Sequence, residues 1–332
     1  MSLGAIYRGR YAPSPTGPLH LGNARTALLS WLAARARGGS YVMRVEDLDG
    51  PRVRPGLEVR ILDELRWLGL DWDEGPDVGG PRAPYRQSER GGLYAAALGR
   101  LRKAGVAYPC FCSRAEVARA SQAPHASDEG PRYPGTCREL TAADRMERER
   151  HRRPAWRLRV DEGLVRFEDG LYGPQAVDVA STVGDFVVAR ADGTPAYQLA
   201  VAVDDAAMGI TEVVRGEDLL ASTARQLLVY RALGLPAPGF AHVPLVVGPD
   251  GERLAKRHGA LSLGELRAGG ARPEAVVGLL AALSGLAAAG AAVSARDLVL
   301  GFDLSRLPRR PARLEAADVE RICGPPAGGP GG

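Results

Sequence analysis

No stretch of this chain approaches the roughly 20 consecutive apolar residues that a bilayer-spanning helix needs, although 45% of its 332 residues are hydrophobic. The N-terminus lacks the basic, apolar and small-residue order of a secretory signal. Neither the Walker nor the dinucleotide-binding glycine spacing occurs. Lysine is scarce, so arginine supplies nearly all of the 43 basic residues, which are set against 39 acids. So slight a surplus does not by itself argue for nucleic acid, although one basic face stays open. Only four cysteines occur, and Cys110, Cys112 and Cys137 lie within 28 positions, far from Cys323. An odd cluster of this kind points away from disulfides and toward a reducing compartment. The absences leave a soluble, cytoplasmic globular protein with no membrane partner, long enough for two or three structural units.

What is present begins with "YAPSPTGPLHLGNARTALLSWLAAR" (Tyr11–Arg35). Residues 5–12 read as a short buried strand entering a Pro- and Gly-rich turn. Ala24, Ala27, Leu28, Trp31 and Ala34 then fall on one stripe of an amphipathic helix. "SYVMRVEDLD" reads as a second strand ending in acids, and Leu57, Ile61, Leu65 and Leu68 mark a second helix after Pro55. Strand, helix, strand, helix is the rhythm of a parallel α/β sheet, whose ligands sit at the carboxyl ends of its strands. A helix over 91–104 follows. The segment 106–195 carries the cysteines and an Arg-rich run, and reads as an insertion between the halves 1–105 and 196–250. Within the second half, Thr211–Arg215 reads as a strand, with Ser222 as the N-cap of the next helix. Residues 251–322 read as a basic loop and helices, and 323–332, rich in Gly and Pro, as a disordered tail.

Each candidate site residue has two readings. His20, at the mouth of the first helix, is a capping histidine or a contact to phosphate at the helix N-terminus, where free N–H groups and the dipole converge. Gly22 lets a ligand approach the backbone. Arg10 and Glu46, at the ends of the first two strands, either form a salt bridge or grip the two ends of an amino acid. Arg215, ending a third strand, adds a guanidinium, and two guanidiniums aimed at one site call for an anion between them. "GERLAKRHGA" (Gly251–Ala260) is a solvated basic turn or places Lys256 on a developing phosphate charge. Cys110, Cys112 and Cys137 are either reduced core residues or ligands of tetrahedral zinc, with Tyr133, His125 or His151 as the fourth donor.

Taken in order, "RYAPSPTGPLHLGNARTALLSW", "RVEDLD", "VDDAAMGITEVVRGEDLLAST" and "RLAKR" resemble the successive motifs of class I aminoacyl-tRNA synthetases of the glutamyl branch, over about residues 8–318. The resemblance implies an α/β fold with a Rossmann-like parallel sheet, an inserted zinc-containing domain like an acceptor-binding domain, and a short α-helical C-terminal segment. It implies no anticodon-binding domain. The cluster Cys110, Cys112, Tyr133 and Cys137 resembles the zinc site of a shortened paralogous family, the glutamyl-Q tRNA(Asp) synthetases. That family implies activation of L-glutamate by ATP, with Mg2+, without tRNA. The glutamyl group then passes to the cyclopentenediol of queuosine at the wobble position of tRNA(Asp), in a monomer.

Carried over position by position, Arg10, Tyr11, Ala12, Pro13, Ser14, Tyr197 and Arg215 hold glutamate, and Glu46 meets its ammonium. His20, Gly22, Asn23 and Lys256 attend ATP, with His20 and Lys256 catalytic. Two departures accompany the match. Asn23 stands where the first signature has its second histidine, and the lysine loop keeps Lys256 but lacks both serines, with Ala255 and Arg257 beside it. The competing expectations are a truncated glutamyl-tRNA synthetase charging the 3′ end of tRNA(Glu), and a catalytically silent tRNA-binding paralogue.

Overall fold

The computed structural model describes residues 6–120, 132–161, 163–252, 254 and 262–323. Among them run eleven strands: β1 (Arg8–Tyr11), β2 (Ser40–Met43), β3 (Ala107–Cys110), β4 (Ala155–Leu158), β5 (Leu164–Asp169), β6 (Gly173–Asp178), β7 (Phe186–Ala189), β8 (Glu212–Gly216), β9 (Gly239–Val243), β10 (Val246–Val247) and β11 (Ala312–Arg313). The centre is parallel. β1 pairs with β2, Arg8 opposite Ser40, and β8 pairs with β9, Glu212 opposite Gly239. Thr211 joins the two halves: its N–H donates to the Arg8 carbonyl at 2.9 Å and its hydroxyl accepts from the Arg8 N–H at 2.8 Å. The layer therefore runs β2, β1, β8, β9, although Arg8 and Thr211, which join its middle strands, are 203 positions apart.

Helices cover both faces, and the period-two alternation of the strands divides their side chains between two cores. Tyr41, Met43, Val214 and Ala241 join the core beneath the helices Leu21–Arg35, Leu57–Trp67 and Pro273–Ala282. Val42, Val213 and Phe240 join the opposite core, with Gly91–Lys103, Tyr197–Ala207 and Leu220–Leu233.

Three sequence expectations are corrected here. The Leu21–Arg35 helix carries no amphipathic stripe: eleven of its fifteen residues are buried, because it is wedged between the sheet and the Pro273–Ala282 helix. Even Arg25 is buried there, its guanidinium donating to the Pro244 carbonyl at 2.6 Å and the Ser284 hydroxyl at 2.8 Å. Ser222 is no N-cap. The helix starts at Leu220, and the buried Ser222 hydroxyl accepts from Gln198 and Arg225 instead. The second strand is also shorter than the run to Asp49. Beyond Met43 the chain continues past the end of β1, where the Arg44 N–H donates to Tyr11 at 3.0 Å and the Glu46 N–H to Pro13 at 2.9 Å. That crossing sets Glu46 beside the Pro-rich turn.

Within 106–195, β3, β4 and β7 form an antiparallel sheet. The β5–β6 hairpin leaves that sheet and attaches to the parallel layer, Asp169 pairing with Phe240 of β9. Of the 323–332 segment only Cys323, the last residue of the final helix, is among the described residues.

Candidate active site

At the carboxyl ends of β1, β8 and β9 lies a cleft of about 450 Å³. Arg10, Tyr11, Ala12, Pro13, Ser14, His20, Gly22, Asn23, Glu46, Tyr197 and Arg215 all line it. Each stretch reaches the cleft for a local reason. β1 ends at Tyr11, and the prolines at 13 and 15 forbid continuation of its ladder, so the chain turns across the strand ends into the first helix. His20 is the N-cap residue of that helix, but its side chain makes no capping bond. Its Nδ1 is buried without a partner among the described residues, an arrangement that suits an incoming donor or acceptor. Among the described residues a Cβ on Gly22 would meet nothing nearer than Val246 at 3.9 Å, so these leave the space over this glycine open. Gly216, by contrast, has no room: a Cβ there would lie 2.5 Å from the Asp218 carboxylate.

The chain leaves β10 and lines the cleft wall with Leu254. It returns at Ser262, which bridges to His20, while the Leu263 N–H donates to Leu19 at 2.9 Å. Lys256, with Arg253, Ala255 and Arg257, lies outside the described residues.

The charges are placed by long-range contacts. Arg10 and Glu46 do not form the salt bridge open to them. Arg10 Nε turns to Asp205 at 3.4 Å, and Glu46 accepts from Arg44 at 3.0 Å. Arg44, buried completely, also reaches Asp205 at 2.5 Å and Asp204 at 3.8 Å. Asp204 accepts from Arg90 at 2.6 Å, Gln87 at 2.7 Å and Tyr94 at 2.8 Å. Burial pushes the Glu46 carboxyl above its ordinary value, against the pull of Arg44 and Arg10. Asp205 is held below its ordinary value: burial opposes ionisation, but Arg44 and Arg10 outweigh it.

Arg215 is different. It is 4% exposed, and its guanidinium donates to His242 at 3.0 Å, Gln226 at 2.9 Å, Thr223 at 2.7 Å and the Leu219 carbonyl at 3.3 Å, all neutral acceptors. Among the described residues no carboxylate pairs with it. Arg10, Arg44 and Arg90 thus pair with Glu46, Asp204 and Asp205, whereas Arg215 meets a buried carboxylate, Asp169, only through His242. An unpaired buried charge costs several kcal/mol unless a counterion fills the site. Among the described residues Arg215 therefore keeps a direct ion pair to offer an anionic group.

The model of the family described as tRNA synthetases class I (E and Q), catalytic domain, matches residues 7–316. The chain belongs to that family. A glutamyl-Q tRNA(Asp) synthetase of Symbiobacterium thermophilum is 55% identical over 318 residues, which cover 95% of this chain and 98% of that protein. One of the same name from Nitratidesulfovibrio vulgaris is 49% identical over 318 residues, 96% of this chain and 98% of its own. The crystal structure of a glutamate tRNA ligase from Elizabethkingia meningosepticum in complex with its amino acid has a TM-score of 0.83 at 33% identity, covering 96% of this chain and 69% of that one. The protein is therefore an ATP-dependent aminoacyl ligase of class I catalytic-domain fold, with glutamate, ATP and tRNA as its partners. No helix among the described residues is long and apolar enough to cross a membrane.

The synthetase carries a second constellation away from the cleft. The sulfurs of Cys110, Cys112 and Cys137 all lie within 4.8 Å of one another. The Tyr133 hydroxyl is 3.4 Å from the Cys110 sulfur and 3.9 Å from that of Cys112. Two thiolates on one tetrahedral zinc stand about 3.8 Å apart, and Cys112 and Cys137 are 3.6 Å apart. The donor set fits such an ion. Of the other expected donors, His151 is exposed and bonded to Glu147, and His125 lies outside the described residues. β3 ends at Cys110, and Cys112 lies two residues beyond it. The Cys110 thiol is drawn down to about 4, chiefly by the hydrogen bond from Cys137, against burial and with help from Tyr133 and Arg157.

Sequence reasoning assigned no role to Arg157, whose Nε donates to Cys110 at 3.2 Å and whose guanidinium lies 3.7 Å over the Tyr133 ring. It likewise passed over Arg44, Asp204, Asp205, Asp169 and His242. A signal for two of them was present: Asp204 and Asp205 sit side by side in an otherwise apolar helix, where acids survive burial only if paired.

Proposed function

We propose that this synthetase activates L-glutamate with MgATP in the absence of tRNA, then transfers the glutamyl group to the cyclopentenediol of queuosine at the wobble position of tRNA(Asp). The observation that carries the amino-acid choice is the buried Arg215 guanidinium with only neutral partners. A carboxylate of glutamate would give Arg215 the direct ion pair that its neutral partners do not. Arg10 and Arg215 face its carboxylates, Glu46 its ammonium, and Tyr11, Ala12, Pro13, Ser14 and Tyr197 enclose it. The polynucleotide choice is supported by the names of the relatives matched along nearly their whole length.

In the first step a glutamate carboxylate oxygen attacks the α-phosphorus of ATP, the bond to the bridging oxygen breaks, and pyrophosphate leaves. No covalent enzyme intermediate is needed, so catalysis is positioning and electrostatics. The N-terminus of the first helix, with Gly22 and Asn23, presents N–H groups to the phosphates. The unpartnered Nδ1 of His20 is available to an ATP oxygen, and Lys256 neutralises the departing pyrophosphate. In the second step a queuosine hydroxyl attacks the adenylate carbonyl and AMP departs.

Cys110, Cys112, Cys137 and Tyr133 would hold one Zn2+, which when bound cross-links the end of β3 to the 133–137 segment. Three thiolates around a divalent ion leave one negative charge, and Arg157 beside Cys110 offsets it. Its role is structural, since these residues are not among those lining the cleft.

The test is glutamate-dependent exchange of label between pyrophosphate and ATP without tRNA, followed by offering labelled glutamate to total tRNA with and without queuosine. Nuclease mapping should place the label in the anticodon loop. Label in the acceptor stem would favour 3′-end charging of tRNA(Glu), and absence of exchange would favour the silent paralogue.

A further inference from the structure

Behind Arg215 stand two buried polar side chains, His242 and Asp169, for which the reaction as described has no use. Arg215 of β8 is opposite His242 of β9 in the parallel register. Its Nε–H points at His242 Nε2, 3.0 Å away. On the far side of the ring, His242 Nδ1 is 2.6 Å from Asp169 Oδ2, and neither of those two side chains is exposed. The other Asp169 oxygen accepts the backbone N–H groups of Leu171 at 3.0 Å and Tyr172 at 2.9 Å, so the turn after β5 fixes the carboxylate.

Donor and acceptor counting leaves one state for the imidazole. An ionised carboxylate only accepts and a guanidinium only donates. The ring between them must donate through Nδ1 and accept through Nε2, and only the neutral Nδ1–H tautomer does both. The cation would set N–H against N–H and charge against charge. The charged groups facing the ring are Asp169, Arg215 and Asp218; burial lowers the affinity of His242 for a second proton, and Arg215 adds to that against the pull of Asp169.

We propose that Asp169 and His242 are positioning residues that lock one imidazole tautomer and thereby hold the Arg215 guanidinium in the orientation that receives the substrate's carboxylate. The inference rests on the reading of Arg215 as a glutamate contact. Thr223 and Gln226 fix the two terminal nitrogens from the Leu220–Leu233 helix, and His242 fixes Nε from the sheet. Without the third support the guanidinium plane is free to swing about its remaining bonds. With four of its five N–H groups committed, the guanidinium keeps one for a ligand carboxylate, and that bond needs the plane fixed.

The full chain with 15N-labelled histidine tests this without a substrate. The wild-type His242 signal, identified by its loss in His242→Gln, should show the neutral Nδ1–H pattern across pH 6 to 8. Asp169→Asn presents an amide donor to Nδ1 and should switch the ring to the Nε2–H form. In pyrophosphate exchange, His242→Leu and Asp169→Asn should raise the KM for glutamate about 10- to 100-fold, the value of one hydrogen bond to a charged group. The KM for ATP should move less than about threefold. His242→Gln, whose amide oxygen can still accept from Arg215, should recover most of the loss. An Nε2–H pattern or an imidazolium in the wild type would overturn the proposal. So would an unchanged glutamate KM in folded Asp169→Asn while Arg215→Lys raises it. An unchanged KM in Arg215→Lys would instead remove the glutamate contact on which the proposal stands, whatever tautomer is seen.

Discussion

Glu46→Gln isolates the ammonium end of the amino acid. The replacement keeps shape and removes one charge, and Arg44 retains Asp204 and Asp205, so the buried network does not lose its last anion. Two effects follow, of opposite sign for different ligands. Glutamate loses a charge-assisted bond to its ammonium, about 1.5–3 kcal/mol. At about 1.4 kcal/mol per factor of ten, that weakens it about 10- to 100-fold. Meanwhile the cleft loses one negative charge. Glutarate, which has both carboxylates and no ammonium, is then better matched than before: a unit charge about 6 Å away at an effective dielectric constant of about 20 is worth about 3 kcal/mol at most. Wild-type enzyme should prefer glutamate to glutarate, and the variant should narrow or invert that preference. The measurements are the KM for glutamate and the inhibition constant of glutarate in pyrophosphate exchange, with calorimetry on the apo-protein as a check. Equal weakening of both ligands would refute the reasoning, because it would mean that Glu46 supports the pocket through Arg44 and never touches the ammonium.

Three further outcomes are expected. Cys112→Ser should reduce bound zinc, read by atomic emission, from one ion per chain, and should make the β3–β4–β7 unit more sensitive to protease; unchanged metal content would exclude Cys112 as a ligand. Lys256→Ala should slow adenylate formation while tRNA binding in a filter assay stays nearly the same, and equal loss of both would misplace that residue. Asp205 is held below its ordinary value of 3.8 by Arg44 and Arg10, against burial. Its contribution to stability is thus complete above that value and is lost as pH falls through the depressed one. Asp205→Asn should cost about 3 kcal/mol near neutrality and flatten the acid limb of the Tm–pH curve; a parallel curve would contradict the sign.

Much of the framework was readable because it is written locally. The proline-rich turn after β1, the open space over Gly22 and the strand ends at Arg10 and Arg215 are features of a few consecutive residues. So is the cysteine trio. The first helix misled the reading, since a stripe of Ala, Leu and Trp assumes one wet face, and here the Pro273–Ala282 helix covers it. The helix start at Leu220 was missed because a short 3-10 turn over Glu217–Leu219 leads directly into the helix, without a side-chain cap.

The order of residue types along the chain determined the α/β rhythm, the turn that opens the cleft and the set of groups that could bind glutamate, nucleotide and metal, because periodicity and turn chemistry act over one or two turns of chain. Tertiary structure alone decided how those charges are balanced. Arg44 meets Asp205 across 161 positions, His242 meets Asp169 across 73, and Arg10 meets Asp205 across 195. A buried ion is tolerated only where partners from distant segments surround it. Which guanidinium is satisfied by the protein, and which is left for a substrate, is therefore settled only when those segments come together.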